Sequence, residues 1–224
     1  MGSPQPLAEH AMTETHHQKR LLVATTNRGK LAEFRLLLEP VGFEVLSLDD
    51  VAPGPAPVED GSTFEANAII KATAWCARLG LPVIADDSGL VVDALDGAPG
   101  VHSARYAGED GDDAANNRKL LVTMDKVADD DRTARFVAVI CYAQPEEEPV
   151  TFRGVVEGRI GRVPKGDGGF GYDVLFHPRQ TDGSFAPYTT AEIPAADKAA
   201  ISHRGEAARA LVAWLAKENA VERT

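Results

Sequence analysis

Val83-Ile84-Ala85-Asp86-Asp87-Ser88-Gly89-Leu90 is the stretch on which the reading of this chain turns. Its apolar start reads as a buried strand, and the two carboxylates, hydroxyl and glycine that follow read as that strand's abrupt end. In open α/β sheets, ligands bind in the crevice beyond the carboxyl ends of the strands. Two adjacent carboxylates near a core repel each other, which raises a pKa or recruits a cation. Magnesium suits the second outcome, because it is a hard ion that takes oxygen ligands and keeps several waters. The string alone also fits a plain turn cap, so the rest of the chain has to decide.

Working outward, composition sets the limits. The chain has 224 residues, 44% of them apolar and 25% charged, as expected for a soluble globular protein of one large domain. No run approaches the ~20 apolar residues that cross a bilayer, so no membrane partner is expected. A net charge of −11 argues against a nucleic-acid polymer, since that affinity comes from neutralising phosphates. A small phosphate compound remains compatible, because a few converging Lys and Arg act locally. Cys76 and Cys141 lie in apolar surroundings without metal-ligand spacing and read as buried, reduced thiols of a cytoplasmic protein.

Residues 1–19 are polar and aperiodic. The second methionine, Met12, makes Met1–Ala11 read as an expression scar, which leaves 20–220 as a single domain. Order begins with a strand at Leu21–Thr25, then the polar loop Thr26-Asn27-Arg28-Gly29-Lys30, then a helix on Leu31, Phe34, Leu37 and Leu38. A helix N-terminus beside Lys30 is a ready anion site, although the loop is not a Walker A sequence. A second strand is expected at Phe43–Leu48 and a loop at Val51–Val58. Ser62-Thr63-Phe64-Glu65 reads as a capping box opening a helix that Gly80 ends. Asn67 and Lys71, four apart, project together from its flank, and Glu59 just outside it is either a solvated carboxylate or a second metal oxygen.

Beyond the central strand, Gly97–Gly100 reads as a turn, Val101–Gly108 carries Arg105 and Tyr106, and Asp112–Lys126 reads as a helix. Ala134–Ala143 and Val150–Val156 form a hairpin pattern. Gly166–Gly171 matches G-x-G-x-x-G, but Tyr172-Asp173-Val174-Leu175-Phe176 is strand-like where a dinucleotide fold needs a helix. What remains is a glycine-rich backbone that presents Phe170, either to a ligand or to the core. Near the C-terminus, Lys198, His203 and Arg204 gather nitrogen donors just before a helix that Ser202 starts.

Three separated features therefore suit one ligand. The Lys30 loop and Lys71 suit phosphates, Glu59 with Asp86 and Asp87 suits Mg²⁺, and Phe170 with Lys198, His203 and Arg204 suits a base. Taken in order, Thr25–Lys30, Glu59–Asn67, Ala85–Leu90, Gly97–Tyr106, Gly168–Asp173 and Ile201–Gly205 resemble the non-canonical purine NTP pyrophosphatases, also called inosine triphosphate pyrophosphatases. The resemblance covers roughly Leu21 to Leu215. One departure is visible: Thr26 stands where that family's first loop usually has glycine.

The resemblance implies an elongated mixed α/β fold, with a central sheet flanked by helices, two lobes and a cleft between them, usually as a homodimer. It implies hydrolysis of ITP, dITP and XTP to the monophosphate and pyrophosphate, with Mg²⁺ as cofactor. It also implies that Asp87 is general base and metal ligand, that Glu59 is a second metal ligand, and that Asp86 shares the same acidic pocket. Lys30 and Lys71, with Thr25, Thr26, Asn27, Arg28 and Gly29, would hold the triphosphate. Phe170 would stack on the purine, with Ser88, Gly171, Tyr172, Asp173, Lys198, His203 and Arg204 around base and sugar.

The residue types agree with that chemistry, since fixed lysines and a divalent ion stabilise charge on a departing pyrophosphate. Three rival readings compete with it. Asp87-Ser88-Gly89 is the aspartic-protease string Asp-Ser-Gly, but that chemistry needs a second copy, which the chain lacks, or a symmetric dimer axis through this loop, and it would leave the lysine-bearing loops without a task. A non-catalytic nucleotide sensor and a pyrophosphatase for other modified nucleotides are separated from the main reading by product release.

Overall fold

Alternation of apolar side chains sets the architecture. Leu21 and Val23 point to one side of the first strand, Leu22 and Ala24 to the other, and both pairs are buried. A strand buried on both faces needs helices on both sides. The computed structural model describes residues 19–51 and 54–221, without the side chains of 219–221. Residues 1–18 of the proposed leader and part of the Val51–Val58 loop therefore lie outside the described residues, whereas Lys19, expected in the leader, opens the first strand.

Six strands form one mixed sheet in the order β2-β1-β3-β4-β5-β6. They are β1 (Lys19–Val23), β2 (Phe43–Leu46), β3 (Val83–Val92), β4 (Thr133–Ala143), β5 (Val150–Ile160) and β6 (Phe176–Pro178). β1 runs parallel to β2 and β3, whereas β3, β4, β5 and β6 pair antiparallel. The helices are α1 (Arg28–Leu38), α2 (Phe64–Leu79), α3 (Asp113–Thr123), α4 (Ala195–Ile201) and α5 (His203–Val221). α2 covers one face through Ala68, Ala72, Trp75 and Cys76. α1 and α5 cover the other through Phe34, Leu38, Ala208 and Leu211. A separate cluster joins α3 to the far ends of the sheet through Leu120, Met124, Phe136, Ile160 and Phe176. Burying each such large side chain contributes about 1.5–3 kcal/mol, so these three clusters hold the two ends of the molecule around a common sheet.

Four expectations need correction. The central strand does not end at its carboxylates: β3 continues to Val92, paired residue for residue with β4 from Val83 opposite Ala143 to Val92 opposite Ala134. An Asp-Asp-Ser-Gly string opposes strand propensity, and the long antiparallel ladder with β4 overrides it. β2 stops at Leu46, and Leu48–Val51 is a tight helical turn. The N-cap of α2 is Thr63, whose side chain accepts from the Ala66 N–H, and Glu65 accepts from the Thr151 hydroxyl instead of closing a capping box. Tyr172–Leu175 is a turn held by N–H to carbonyl bonds from Asp173 to Phe170 and from Leu175 to Tyr172; only Phe176 of that run belongs to a strand.

The hairpin, the left-handed stop at Gly80 (φ 63°) and the start of α5 at Ser202 agree with the sequence, and the first helix is present but already begins at Arg28, so Arg28-Gly29-Lys30 form its first turn and not a loop. Gly154 shows how α5 is seated. A Cβ there would collide with the His203 carbonyl oxygen and the Ala207 nitrogen, so only glycine lets the helix start rest directly on β5.

Candidate active site

β3 distributes its two carboxylates by the pleat. Successive side chains of a strand leave opposite faces, so Asp87 points toward α2 with Ala85, and Asp86 points toward α1 and α5 with Ile84. Asp87 borders a cavity of about 390 Å³, open to the surface between the two ends of the molecule. The notion of one acidic pocket shared by both residues is therefore corrected: Asp86 does not line the cavity.

Asp87 is positioned on both oxygens. Oδ2 accepts from Asn67 Nδ2 at 3.0 Å and Oδ1 from the Ser88 N–H at 3.1 Å. Burial pushes its pKa above the usual carboxylate range, against the opposing pull of Lys71, the Asn67 bond and Lys30. Such a carboxylate is suited to accept a proton. Lys71 reaches the cavity from the same face of α2 as Asn67, one turn on, and pairs with Glu59 at 2.7 Å. Lys30 meets Asp86 at 3.3 Å; burial lowers its pKa, with Asp86 acting in the other direction.

The first loop forms an anion cradle. Asn27 caps α1 by accepting from the Lys30 N–H at 3.0 Å, and the Asn27 N–H donates to Thr25 Oγ1. The N–H groups of Arg28 and Gly29 at the helix start lack intrahelical partners, which favours an anion there. Among the described residues the non-glycine positive φ angles are at Asp96 and Glu146, so Thr26 fits the path without the freedom of a glycine. Thr25, Thr26, Asn27 and Lys30 line the cavity, whereas the Arg28 side chain and Gly29 do not. Gly29 lies under Phe170: an added Cβ would come within 2.6 Å of the ring.

Phe170 in turn lies beneath two cations, Lys198 Nζ at 4.5 Å and Arg204 Cζ at 5.2 Å from its centroid. These are not surface residues. Lys198 pairs with Glu33 at 2.6 Å and Asp173 at 2.7 Å. Arg204 donates to Glu33, to Asp86 and to Ser88 Oγ at 2.6, 3.0 and 2.7 Å. Burial alone would raise the Glu33 and Asp86 carboxyls, but the facing cations outweigh it and hold both below the usual range. His203 stacks on Phe136 at 4.9 Å; burial, then Arg204 and Lys198, keep it neutral. Gly171 is fixed by α3, donating to Asp113 Oδ2 at 2.6 Å and accepting from Asn117 Nδ2 at 2.8 Å. Gly171, Tyr172, Asp173 and Ser88 all line the cavity.

Sequence reasoning missed several of these roles. Glu33 is an acidic residue on the buried side of α1, beside Phe34, and a charge on an apolar stripe was the available signal. Arg105 and Ser103 also line the cavity, and Asp113 is the first helical residue of α3. Cys141, by contrast, is pushed up to about 12 by burial and then Glu65, which leaves it inert as a nucleophile.

The donor set limits the metal. Among the described residues no three His, Cys, Asp or Glu side chains converge on one ion. Glu59 and Asp87 are two carboxylates on one cavity wall beside lysines. Mg²⁺ is commonly held by one or two carboxylates plus waters and substrate phosphates. The set fits an ion shared with a phosphate ligand and does not fit an all-protein cage.

Comparison with known proteins gives consistent matches. Residues 21–214 match the Ham1 family. A dITP/XTP pyrophosphatase of Exiguobacterium sp. (strain ATCC BAA-1283 / AT1b) is 50% identical over 194 residues, covering 87% of this chain and 95% of the relative. The Staphylococcus aureus Ham1 protein superposes with a TM-score of 0.76 at 40% identity, over 89% of this chain and all of that one. A nucleoside-triphosphatase / dITP/XTP pyrophosphatase from Mycobacterium abscessus superposes with a TM-score of 0.69 at 46% identity, over 88% and 98%.

Proposed function

The chain belongs to the Ham1 family, and from that premise we propose that it is a hydrolase that splits non-canonical purine nucleoside triphosphates (ITP, dITP and XTP) into the monophosphate and pyrophosphate. The observation that carries the reading is the cavity beside Asp87. Its lining brings together a base-like carboxylate, Asp87, two lysines, Lys30 and Lys71, and an aromatic ring, Phe170, under two cations. That layout fits a ligand with a polyphosphate tail and a flat base.

Water attacks the α-phosphorus and the pyrophosphate departs. Asp87 accepts the proton of the attacking water; its raised pKa strengthens it as a base, and its two hydrogen bonds fix its direction. Lys30, Lys71 and the start of α1 face the negative charge that grows on the leaving oxygens. Glu59 and Asp87 would hold a Mg²⁺, which would supply charge neutralisation at the phosphates. Lys71, paired with Glu59, keeps that carboxylate directed at the same wall.

Base selectivity has a hydrogen-bond origin. Hypoxanthine and xanthine carry a 6-oxo acceptor where adenine carries an amino donor. A guanidinium has five N–H donors, and Arg204 commits three of them to Glu33, Asp86 and Ser88. The remaining two would suit a 6-oxo acceptor in the cavity that Arg204 lines and would oppose an amino donor. The reading extends to a homodimer in the cytoplasm. Buried thiols at Cys76 and Cys141 accord with a reducing compartment. Among the described residues no helix is long and apolar enough to cross a membrane.

A panel of nucleoside triphosphates with Mg²⁺, scored for monophosphate and pyrophosphate, tests the reading. ITP and XTP should exceed ATP by at least ~10²-fold in kcat/KM. Equal values would defeat the selectivity argument, and tight binding without pyrophosphate release would make the protein a sensor.

A further inference from the structure

A second concavity lies away from the nucleotide cavity and shares no lining residue with it. It holds about 240 Å³, and its wall carries Arg132, Arg159, Arg162 and Lys165 against one carboxylate, Asp129. In a chain of net charge −11 this is a marked local excess of positive charge. We propose that it is a binding site for a small phosphate anion, orthophosphate or pyrophosphate.

The charges are held in place. Arg132 is 2% exposed and donates to the carbonyls of Met124, Ile160 and Gly161, so it supplies fixed charge from beneath. Arg159 lies over the Phe185 ring at 5.3 Å. Lys165 has no ion-pair partner among the described residues. Arg162 pairs with Asp129 at 2.6 Å and donates to the Val127 carbonyl at 3.1 Å; both side chains of the ion pair are at least half exposed, so the pair itself is screened and weak.

His177 adds a largely buried polar residue to the lining of this cavity. The residue is 6% exposed, and its Nδ1 lies 3.0 Å from the Ala186 carbonyl oxygen. A carbonyl can only accept, so Nδ1 carries the hydrogen and Nε2 is left to accept from a P–OH group. A Cβ on Gly161 would come within 2.9 Å of Nε2, and the glycine keeps that nitrogen open. The volume decides the ligand's size. It falls below the ~300–1,000 Å³ of pockets for drug-sized ligands, which suits an inorganic anion and not a whole nucleotide. The loop bearing Arg162 and Lys165 continues into Phe170, and Thr189 Oγ1 donates to the Lys165 carbonyl while Thr190 Oγ1 donates to Asp173. An anion here would therefore sit on the same loop that carries the stacking ring.

Calorimetric titration of pyrophosphate and of orthophosphate, with a chelator present, tests the site on the full chain. The native protein should show two pyrophosphate sites. The Arg159→Ala/Lys165→Ala variant should lose the second, weakened at least ~10-fold, and keep the first; Lys71→Ala should do the reverse. Lys165→Gln, a milder change, should weaken the same site several-fold and so guards against misfolding of the double variant. Native-like titration of both cavity variants, loss of all binding in Lys71→Ala, or uptake of inosine monophosphate at the second cavity would each overturn the proposal.

Discussion

Asp86 and Asp87 are bonded neighbours on β3, and the pleat gives them opposite occupations. Asp86 faces Lys30 and Arg204 and is held as a permanently charged counter-ion below the usual carboxylate range. Asp87 faces Asn67 and the cavity, and burial raises its pKa. One peptide unit separates a carboxylate that anchors the site from one that is ready to take a proton. Sequence adjacency is therefore a poor guide to shared chemistry on a strand; side-chain parity is the better one.

The largest expected effect breaks the anchoring half of this comparison. Asp86→Asn leaves Arg204 and Lys30 buried without their shared counter-charge, which costs about 3–5 kcal/mol. Thermal unfolding should show Tm lowered by roughly 10 °C; an unchanged Tm would remove Asp86 from the anchor. The reactive half is tested by Asp87→Asn. Turnover should fall at least ~10²-fold, about 2.7 kcal/mol in the barrier, while Tm is held. Near-normal turnover would remove Asp87 from the chemistry.

The smallest effect concerns pH and sharpens the comparison on the anchor side. Glu33 has a folded-state pKa below its unfolded value, because Arg204 and Lys198 outweigh its burial. A depressed carboxylate contributes stability that is complete above the unfolded pKa and is lost as pH falls through the folded one. Denaturant unfolding should therefore show stability declining below pH ~4.3, with a shallower decline in Glu33→Gln. Identical slopes would mean that Glu33 is not held by those cations.

Much of the site was legible because its parts are local. Asn27 before Lys30, Asn67 four residues from Lys71, and Ser202 before His203 each follow from helix geometry within a few residues. The contacts that could not be read join distant segments. Glu33 meets Lys198 across 165 positions and Arg204 across 171, and no spacing rule reaches that far. The run through Asp86 and Asp87 reads as a turn locally, and only pairing with β4 makes it strand. Tyr172–Leu175 fails the other way: its β-rich composition yields to a turn entered from Phe170 and Gly171, which Asp173 and α3 pin. In both places tertiary pairing overrides local propensity.

The central claim is that water, activated beside Asp87, attacks the innermost phosphorus. Hydrolysis of ITP in heavy-oxygen water, followed by mass spectrometry of the products, tests it most directly. The account predicts the heavy oxygen in inosine monophosphate, with unlabelled pyrophosphate released alongside; label in pyrophosphate, or release of orthophosphate, would contradict it.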